Sequence, residues 1–532
     1  MASIEQLYKD FAVLADAKDK AGEHEKEYLS IISGVKGGAN EKRLASQFIA
    51  RFFKYFPSLA DNAIDAQLDL CEDDDSAIRK QAIKDLPGLC KDAKEHVPRI
   101  ADVLSQLLQC EDSMELSLVQ SSLMVLMKID VKGTLTGLFS QINNGEDIVR
   151  ERAIKFMENR MKKSVDEIFN KDIEEYFLSE CKKVFDDVTG DEFVSFMKIL
   201  SSLTSINTVI GRQQLVEIVV EQASLKEEFQ PTDSDCVDRL MQCIRQAMPF
   251  FSKNVHSAAF VSYICDQVLP SLSSIENQAE GTDLKLEILK LFAEMSTNAG
   301  ELEDGIEKVQ RVFDKLLDYM PQPPEEENSA PVEAPKLEFS YVECLMYAFH
   351  QIARRHPEFL TGEDNGERLK DFRIRLQYFA RGLQLYIKQL RMALQGKTGD
   401  ALKTDENKLK VIALKITSNI NTLIKDLFHN PPSYKAVLHL SWKPMKPAAS
   451  PTPATGQKRS NITPVTFDSE SKNKISKQQD RKIYAPPSGK FSDKAGTFRD
   501  NNGGGGGGYR GGGGYRRQQR GGRGRGRGFK RY

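Results

Sequence analysis

Side chains capable of covalent chemistry are present in this chain, but not in working arrangements. Seven histidines are spread from His24 to His439 without ligand spacing, and eight cysteines, at 71, 90, 110, 181, 236, 243, 265 and 344, form no C-x-x-C pair. Neither set reads as a zinc site or a disulfide framework; cysteines scattered like this in a reducing compartment are small buried hydrophobes. Gly396-Lys397-Thr398 echoes the end of a phosphate-cradling loop, but position 391, where the first glycine belongs, is arginine, and no strand pattern precedes it. H-E-x-x-H and G-x-S-x-G are absent from the sequence. The expectation is a non-enzyme without metal or cofactor, whose chemistry is recognition.

The clearest recognition chemistry lies at the C-terminal end. Arg510, Arg516, Arg517, Arg520, Arg523, Arg525 and Arg527 alternate with glycines and with Tyr509, Tyr515 and Phe529. Arginine supplies charge, phosphate forks and stacking planes, the rings supply faces for unpaired bases, and glycine keeps the chain adaptable. Contact with RNA through this segment would be salt-dependent and weakly sequence-selective. The bland alternative is a flexible basic tail with no RNA partner. Upstream, twelve residues separate Lys458-Arg459 from the cluster Lys472, Lys474 and Lys477. Two basic clusters on an extended peptide suit a bipartite nuclear import signal read by an import receptor, so a nuclear protein with some cytoplasmic presence is expected. Ser450, Thr452 and Thr463 each precede proline, where phosphorylation would alter the local charge.

Three further patterns lie in the body. Leu369, Leu376, Leu383 and Leu390 fall at seven-residue spacing, with Phe372, Phe379 and Tyr386 as companions. Such a stripe either zips to a second chain or packs into its own core, and periods of 3.5 and 3.6 are hard to separate over three heptads. The aromatic companions and Gly382 in mid-stripe favour the core, leaving Lys370, Arg373, Arg375 and Arg381 as a basic outer face. Leu104-Ser-Gln-Leu107-Leu108 has the shape of a groove-docking helix, yet the same leucines suit the inside of a repeat. Asp186, Asp187, Asp191 and Glu192 cluster around Val188-Thr-Gly190, either as a docking patch for a basic partner or as turn and helix-start residues.

The elements that must position these groups are helical. Apolar residues recur three and four apart, as in Phe48, Phe52, Phe53 and Phe56, and alternating strand patterns are nearly absent. The helices also repeat. Asp75-x-x-Ile78-Arg79-x-x-Ala82 returns as Glu146-x-x-Val149-Arg150-x-x-Ala153, with Arg43, Ser46 and Ala50 one step earlier and Glu111, Met114, Glu115 and Leu118 between. An acid that caps, an arginine that reaches a neighbour and a small residue that permits close approach define a helix-pair repeat. Glu115, standing where arginine is expected, departs from the pattern and puts its rung of the ladder in doubt. The fold expected is all-α: an elongated HEAT- and armadillo-like helical-repeat solenoid with a disordered basic tail. Its blocks are HEAT-like repeats over 1–200, armadillo-like repeats over 201–320, an acidic proline-rich loop over 321–336, a C-terminal helical block over 337–442 and the tail over 443–532.

Charge follows this division. The tail carries 10 Lys and 11 Arg against five acidic residues, a net +16, whereas the body carries −17, and the whole chain of 532 residues averages −1. An acidic body suits basic proteins and a basic tail suits nucleic acid or acidic proteins. The N-terminal stretch is broken by Glu5, Lys9 and Asp10, so a secretory leader is not expected there, and no window has the ~18 apolar residues of a membrane helix. No membrane contact is expected, and a monomer is.

Several stretches together resemble one known family: KGGANEKRLASQFI at 36–49, AQLDLCEDDDSAIRKQAIK at 66–84, GEDIVRERAIKF at 145–156, RLQYFARGLQLYIKQLRMALQGKTGDALKT at 375–404, IKDLFHNPPSYK at 424–435 and IYAPPSGK at 483–490. They are similar to the apoptosis inhibitor 5 family, with the resemblance running over about residues 1–442. It implies a nuclear, anti-apoptotic protein that works through protein contacts. It implies an Acinus-like apoptotic factor bound through the heptad leucines, a basic fibroblast growth factor as another partner, and restraint of death driven by a cell-cycle transcription factor. It places the family's L-x-x-L-L at Leu104, Leu107 and Leu108, and a candidate acetyl-lysine at Lys253, within FSKNVHS.

Overall fold

The computed structural model describes residues 3–444 apart from 278–282, 324–336, 363–364, 399–400 and 402–403. Polar turns punctuate the chain, and many of them supply the cap of the helix that follows. Asp75 Oδ1 accepts from the Ala77 N–H at 2.8 Å, Asp112 from Met114 at 2.7 Å, Asn170 from Ile173 at 2.9 Å, Asp233 from Asp235 at 3.0 Å and Asp283 from Leu286 at 3.1 Å. Each satisfies a donor that a helix start leaves without an intrahelical partner.

The N-terminal helices are α1 (Ile4–Ala17), α2 (Glu25–Ser33), α3 (Ala39–Phe52), α4 (Ala60–Cys71), α5 (Ser76–Leu89), α6 (Val97–Gln106), α7 (Ser113–Ile129), α8 (Val131–Asn144) and α9 (Asp147–Asn159). The short α10 (Val165–Ile168) leads to α11 (Lys171–Val184), α12 (Gly190–Leu200), α13 (Val209–Gln222) and α14 (Ser234–Ala247). A π-helical turn, Ile264–Val268, joins α15 (Ala258–Tyr263) to α16 (Leu269–Ser271). Then come α17 (Leu284–Ser296), α18 (Gly305–Asp318), α19 (Phe339–Ala353), α20 (Glu358–Thr361), α21 (Gly366–Leu394) and α22 (Asp405–Leu427). Among the described residues no strand forms, and the fold is all-α.

Packing follows the repeat. Helix α3 lies on α5 and α5 on α7, while α6 lies on α8; farther along, α9 packs on α12, α12 on α14, α14 on α17, α17 on α19 and α19 on α22. Stacking of this kind buries faces that one helix pair could not cover alone. The small residues sit where the pattern puts them: Ala82 and Ala153 are fully buried and Ser46 nearly so. The α6–α8 crossing is tightest at Gly137, where a Cβ would lie 2.5 Å from the Asp102 nitrogen and 2.6 Å from Ala101 Cβ, so only glycine fits. Helix α19 is buried on almost every side, from Val342 to Ala353, as expected of a helix apolar all round.

The described residues belong to one compact unit, the first of two into which the chain divides. Near the end of the first, 430–443 contains no strand. It is a strap held by carboxylates. Asp426 Oδ2 accepts from the Lys435 and Ala436 N–H groups, each at 2.8 Å. The fully buried Glu343 accepts from Ser441 N at 3.1 Å and from Asn419 Nδ2 at 2.6 Å, and Trp442 Nε1 donates to Glu294 at 2.6 Å.

Candidate partner-binding surfaces

The repeat arginines build an internal ladder. Arg79 Nη2 lies 2.8 Å from Glu115 Oε1, while its Nη1 donates to the Asp73 and Asp74 carbonyls at 2.8 and 3.0 Å. Glu115 is buried, and Ser76 Oγ also donates to it at 2.9 Å. The apparent departure at position 115 is therefore corrected: an acid standing one repeat after Arg79 is that arginine's partner. Farther along, Arg150 Nε lies 2.8 Å from Glu192 Oε1 and its Nη1 donates to the Ile142 carbonyl at 3.1 Å.

This second rung divides the proposed acidic patch. Glu192 is half-buried in the ladder, and its Oε2 accepts from the Thr189 N–H at 3.0 Å while Thr189 Oγ1 accepts from the Glu192 N–H, a capping box. Burial pushes the Glu192 carboxyl up, but Arg150 and Thr189 outweigh it and hold the group below the usual carboxylate range. Glu192 is thus a structural acid and is removed from the docking set. Asp186, Asp187 and Asp191 remain, all exposed on the turn from α11 into α12.

The heptad stripe lies on α21 and faces inward. Leu376 and Leu383 are completely buried, Leu390 is 6% exposed, and Leu369 packs partly covered against the same core. Phe372 meets Phe313 with ring centroids 5.0 Å apart and Phe349 at 5.9 Å, and Phe339 stacks on Tyr386. The assignment of partner contact is corrected for Leu376, Leu383 and Leu390 for that reason: they are buried beneath α21, while Leu369 is only partly covered. Two of the four outer-face cations are also occupied. Arg373 donates to the His429 carbonyl at 3.0 Å, and Arg375 to Asp371 at 2.9 Å and the Met320 carbonyl at 2.8 Å. Lys370 and Arg381 stay exposed, beside Ile374, Leu385 and Met392.

Comparison with known proteins settles which family carries this arrangement. The model of the family described as Apoptosis inhibitory protein 5 matches residues 4–528. The chain belongs to that family. It is 57% identical over 532 residues to Apoptosis inhibitor 5 of Gallus gallus, covering 99% of this chain and 98% of the relative. It is 58% identical to Apoptosis inhibitor 5 of Homo sapiens over 94% of each chain, and 45% identical to the Apoptosis inhibitor 5 homolog of Drosophila melanogaster over 93% of this chain and 94% of that one. A solved structure of Kap95p with RanGDP matches 76% of this chain and 53% of that one at 12% identity, with a TM-score of 0.30, too low to support an argument.

The other positions that the family resemblance singles out fall in different settings. Leu104 and Leu108 are fully buried and Leu107 packs against the same core at the end of α6; as a docking motif this L-x-x-L-L is corrected, because its leucines face inward. Lys253 is exposed on the turn after α14. Lys458, Arg459, Lys472, Lys474, Lys477, Tyr509, Tyr515, Arg510, Arg516, Arg517, Arg520, Arg523, Arg525 and Arg527 lie outside the described residues. Beside Lys253 the fold brings His256, Arg354, Arg355 and His356, a grouping that sequence reasoning missed. Its only signal was the Arg-Arg-His run closing α19, a hundred residues downstream.

Proposed function

We propose that this member of an apoptosis-inhibiting family acts as a non-catalytic scaffold in the nucleus, presenting partner-binding surfaces on the helical body and using the basic tail to engage an import receptor. The observation that carries this reading is the α11–α12 turn. Asp186, Asp187 and Asp191 are exposed, with Asp187 Oδ2 4.0 Å from Arg150 Nη1, while their neighbour Glu192 is locked to Arg150 at 2.8 Å. An acidic surface on a fixed base suits a basic protein, because complementary charge steers encounter without ordering a loop. A basic fibroblast growth factor has the required chemistry. An Acinus-like apoptotic factor is assigned to the outward face of α21, at Ile374, Leu385 and Met392, since the leucine stripe is enclosed.

The test is the full chain carrying Asp186→Asn, Asp187→Asn and Asp191→Asn, expressed in cells depleted of the endogenous protein. The variant should melt like the parent, bind a basic fibroblast growth factor at least about tenfold more weakly at low salt, and protect less against DNA fragmentation. Unchanged protection and binding would remove the turn from the mechanism. A second reading, an RNA-associated adaptor in messenger-RNA processing or export, is favoured by the Arg/Gly/Tyr composition of 509–532. Deleting that segment while keeping residues 458–477 distinguishes the two: protection survives on the scaffold reading and disappears on the adaptor reading.

A further inference from the structure

Three inter-helix turns meet at one edge of the helical stack: 252–256 after α14, 297–302 between α17 and α18, and 351–356 at the end of α19. They enclose a cleft of about 470 Å³. Lys253, Arg354 and Arg355 line it together with the imidazoles of His256 and His356, and no Asp or Glu is among the lining residues. The body as a whole carries −17, so an acid-free cluster of this size runs against the general surface. Lys253, Arg354 and Arg355 are all exposed. Among the described residues, the ion pair at this edge is His356 Nδ1 with Glu358 Oε1 at 3.3 Å, and that carboxylate lies outside the cleft.

The cleft is held in shape before any ligand arrives. Ser257 N–H donates to the Asn298 carbonyl at 3.0 Å and its Oγ to the Met295 carbonyl at 2.8 Å, which ties the first turn to the second. Within the first turn, Ser252 Oγ accepts from the Val255 N–H at 3.2 Å, and a His256 ring nitrogen lies 2.9 Å from the Lys253 carbonyl. Gly300 has φ +74°, and a Cβ there would lie 2.5 Å from the His256 ring; glycine is what lets the second turn pass this close.

The lining chemistry selects among anions. Guanidinium forks and a lysine suit phosphate oxygens, with charge-assisted bonds stronger than neutral ones. Several cations around one small cleft suit several phosphates on a small molecule better than one extended strand. The volume is that of a small-ligand site. The lining contains no Phe, Tyr or Trp for a base to stack on, but it offers the polar side chains of Asn298 and Gln351. We propose that this cleft binds a compact polyphosphate, either a polyphosphorylated polyol or a short inorganic phosphate chain.

The experiment is thermal melting of the full chain with sodium tripolyphosphate, with myo-inositol hexakisphosphate, and with sodium sulfate at matched ionic strength. The basic tail also attracts these anions, but binding that is equal in folded and unfolded chains leaves the melting temperature unchanged. Only a folded site raises it. The expected result is a rise of about 2–5 °C with a polyphosphate at saturation and none with sulfate. Arg354→Ala/Arg355→Ala should weaken the apparent affinity at least about 30-fold. Lys253→Gln, at an exposed side chain with no described partner to lose, should weaken it about tenfold and decides the matter if the double variant melts low without ligand. A rise only with the hexakisphosphate assigns the polyol, through Asn298 and Gln351; equal rises assign the phosphate chain. No rise, a rise retained in Lys253→Gln and the arginine variant alike, or a larger rise with a single-stranded RNA oligonucleotide overturns the proposal.

Discussion

Replacing Leu376 and Leu383 with alanine separates a buried stripe from a docking stripe. Both side chains are 0% exposed. Truncating one buried leucine removes the transfer free energy of its methyl and methylene groups, about 2 kcal/mol, and leaves a cavity that raises the total to about 3–5 kcal/mol. The two positions lie seven residues apart on α21, about 10 Å along the axis, so their costs should nearly add, to about 6–10 kcal/mol. Domains of ordinary stability hold about 5–15 kcal/mol in all. The double variant of the full chain should therefore lose most of the urea midpoint of its C-terminal helices, followed by far-ultraviolet circular dichroism, and lose partner capture in parallel. Leu385→Ala is the control, on the same helix but 67% exposed; its stability should stay within about 0.5 kcal/mol of the parent. If the double variant kept the parental midpoint and slope while losing a partner, the packing argument would be refuted and the stripe would be an interface.

Three further outcomes follow from the same contacts. Arg79→Ala should cost about 2–3 kcal/mol in urea unfolding, because it strands the buried Glu115 carboxylate, whereas Arg99→Ala, which breaks exposed pairs to Asp61 and Asp65 at 2.9 and 2.6 Å, should cost less than about 1 kcal/mol; equal costs would contradict the ladder. Stability should fall as pH drops below about 6.5, the ordinary histidine value: buried His350 is pushed below that value by desolvation, with Asp426 at 2.7 Å only partly opposing it. The unfolded chain then takes up the proton first, so the contribution is complete above about 6.5 and is lost toward the lower folded value; urea midpoints from pH 7.5 to 5 should fall for the parent and fall less for His350→Gln. Thiol labelling should reach Cys236 and Cys110 in the native chain well before the other six, since burial raises Cys71, Cys90, Cys243 and Cys265 to about 12 and Cys181 and Cys344 well above the usual range; rapid native labelling of all eight would show that the helical unit opens readily.

The helical class and the long C-terminal helix were legible because each rests on local signals. A 3.6 period, capping acids and a small residue at fixed offset are written in adjacent residues, and the seven-residue leucine spacing of 369–390 falls inside the single helix α21, Gly366–Leu394. Glu115 was misjudged because a motif comparison asks whether a residue matches the previous copy, while the ladder asks whether it complements it. Burying a carboxylate needs a counter-charge, and Arg79 on the preceding repeat supplies it. The leucine stripe stayed ambiguous for a different reason: period alone identifies an apolar face without saying what covers it. Phe313 and Phe349, which cover it, belong to other helices.

Recognition residues were the least legible, and the body shows why. In a stacked repeat, inward positions are constrained by packing, but the exposed turns are brought together by the stack and not by the local sequence. Asp186, Asp187 and Asp191 share one turn and could be seen in sequence. Lys253, Asn298 and Arg354 come from three turns, spread over a hundred residues, and become neighbours only when α14, α17 and α19 stack. The same stack makes these surfaces separable from stability. The exposed charges of the α11–α12 turn and of the Lys253 cleft can be changed without opening the core, whereas Leu104, Leu376 and Leu383 cannot. Loss of function at an exposed position therefore reports a contact, and loss at a buried leucine reports the fold that holds every contact in place.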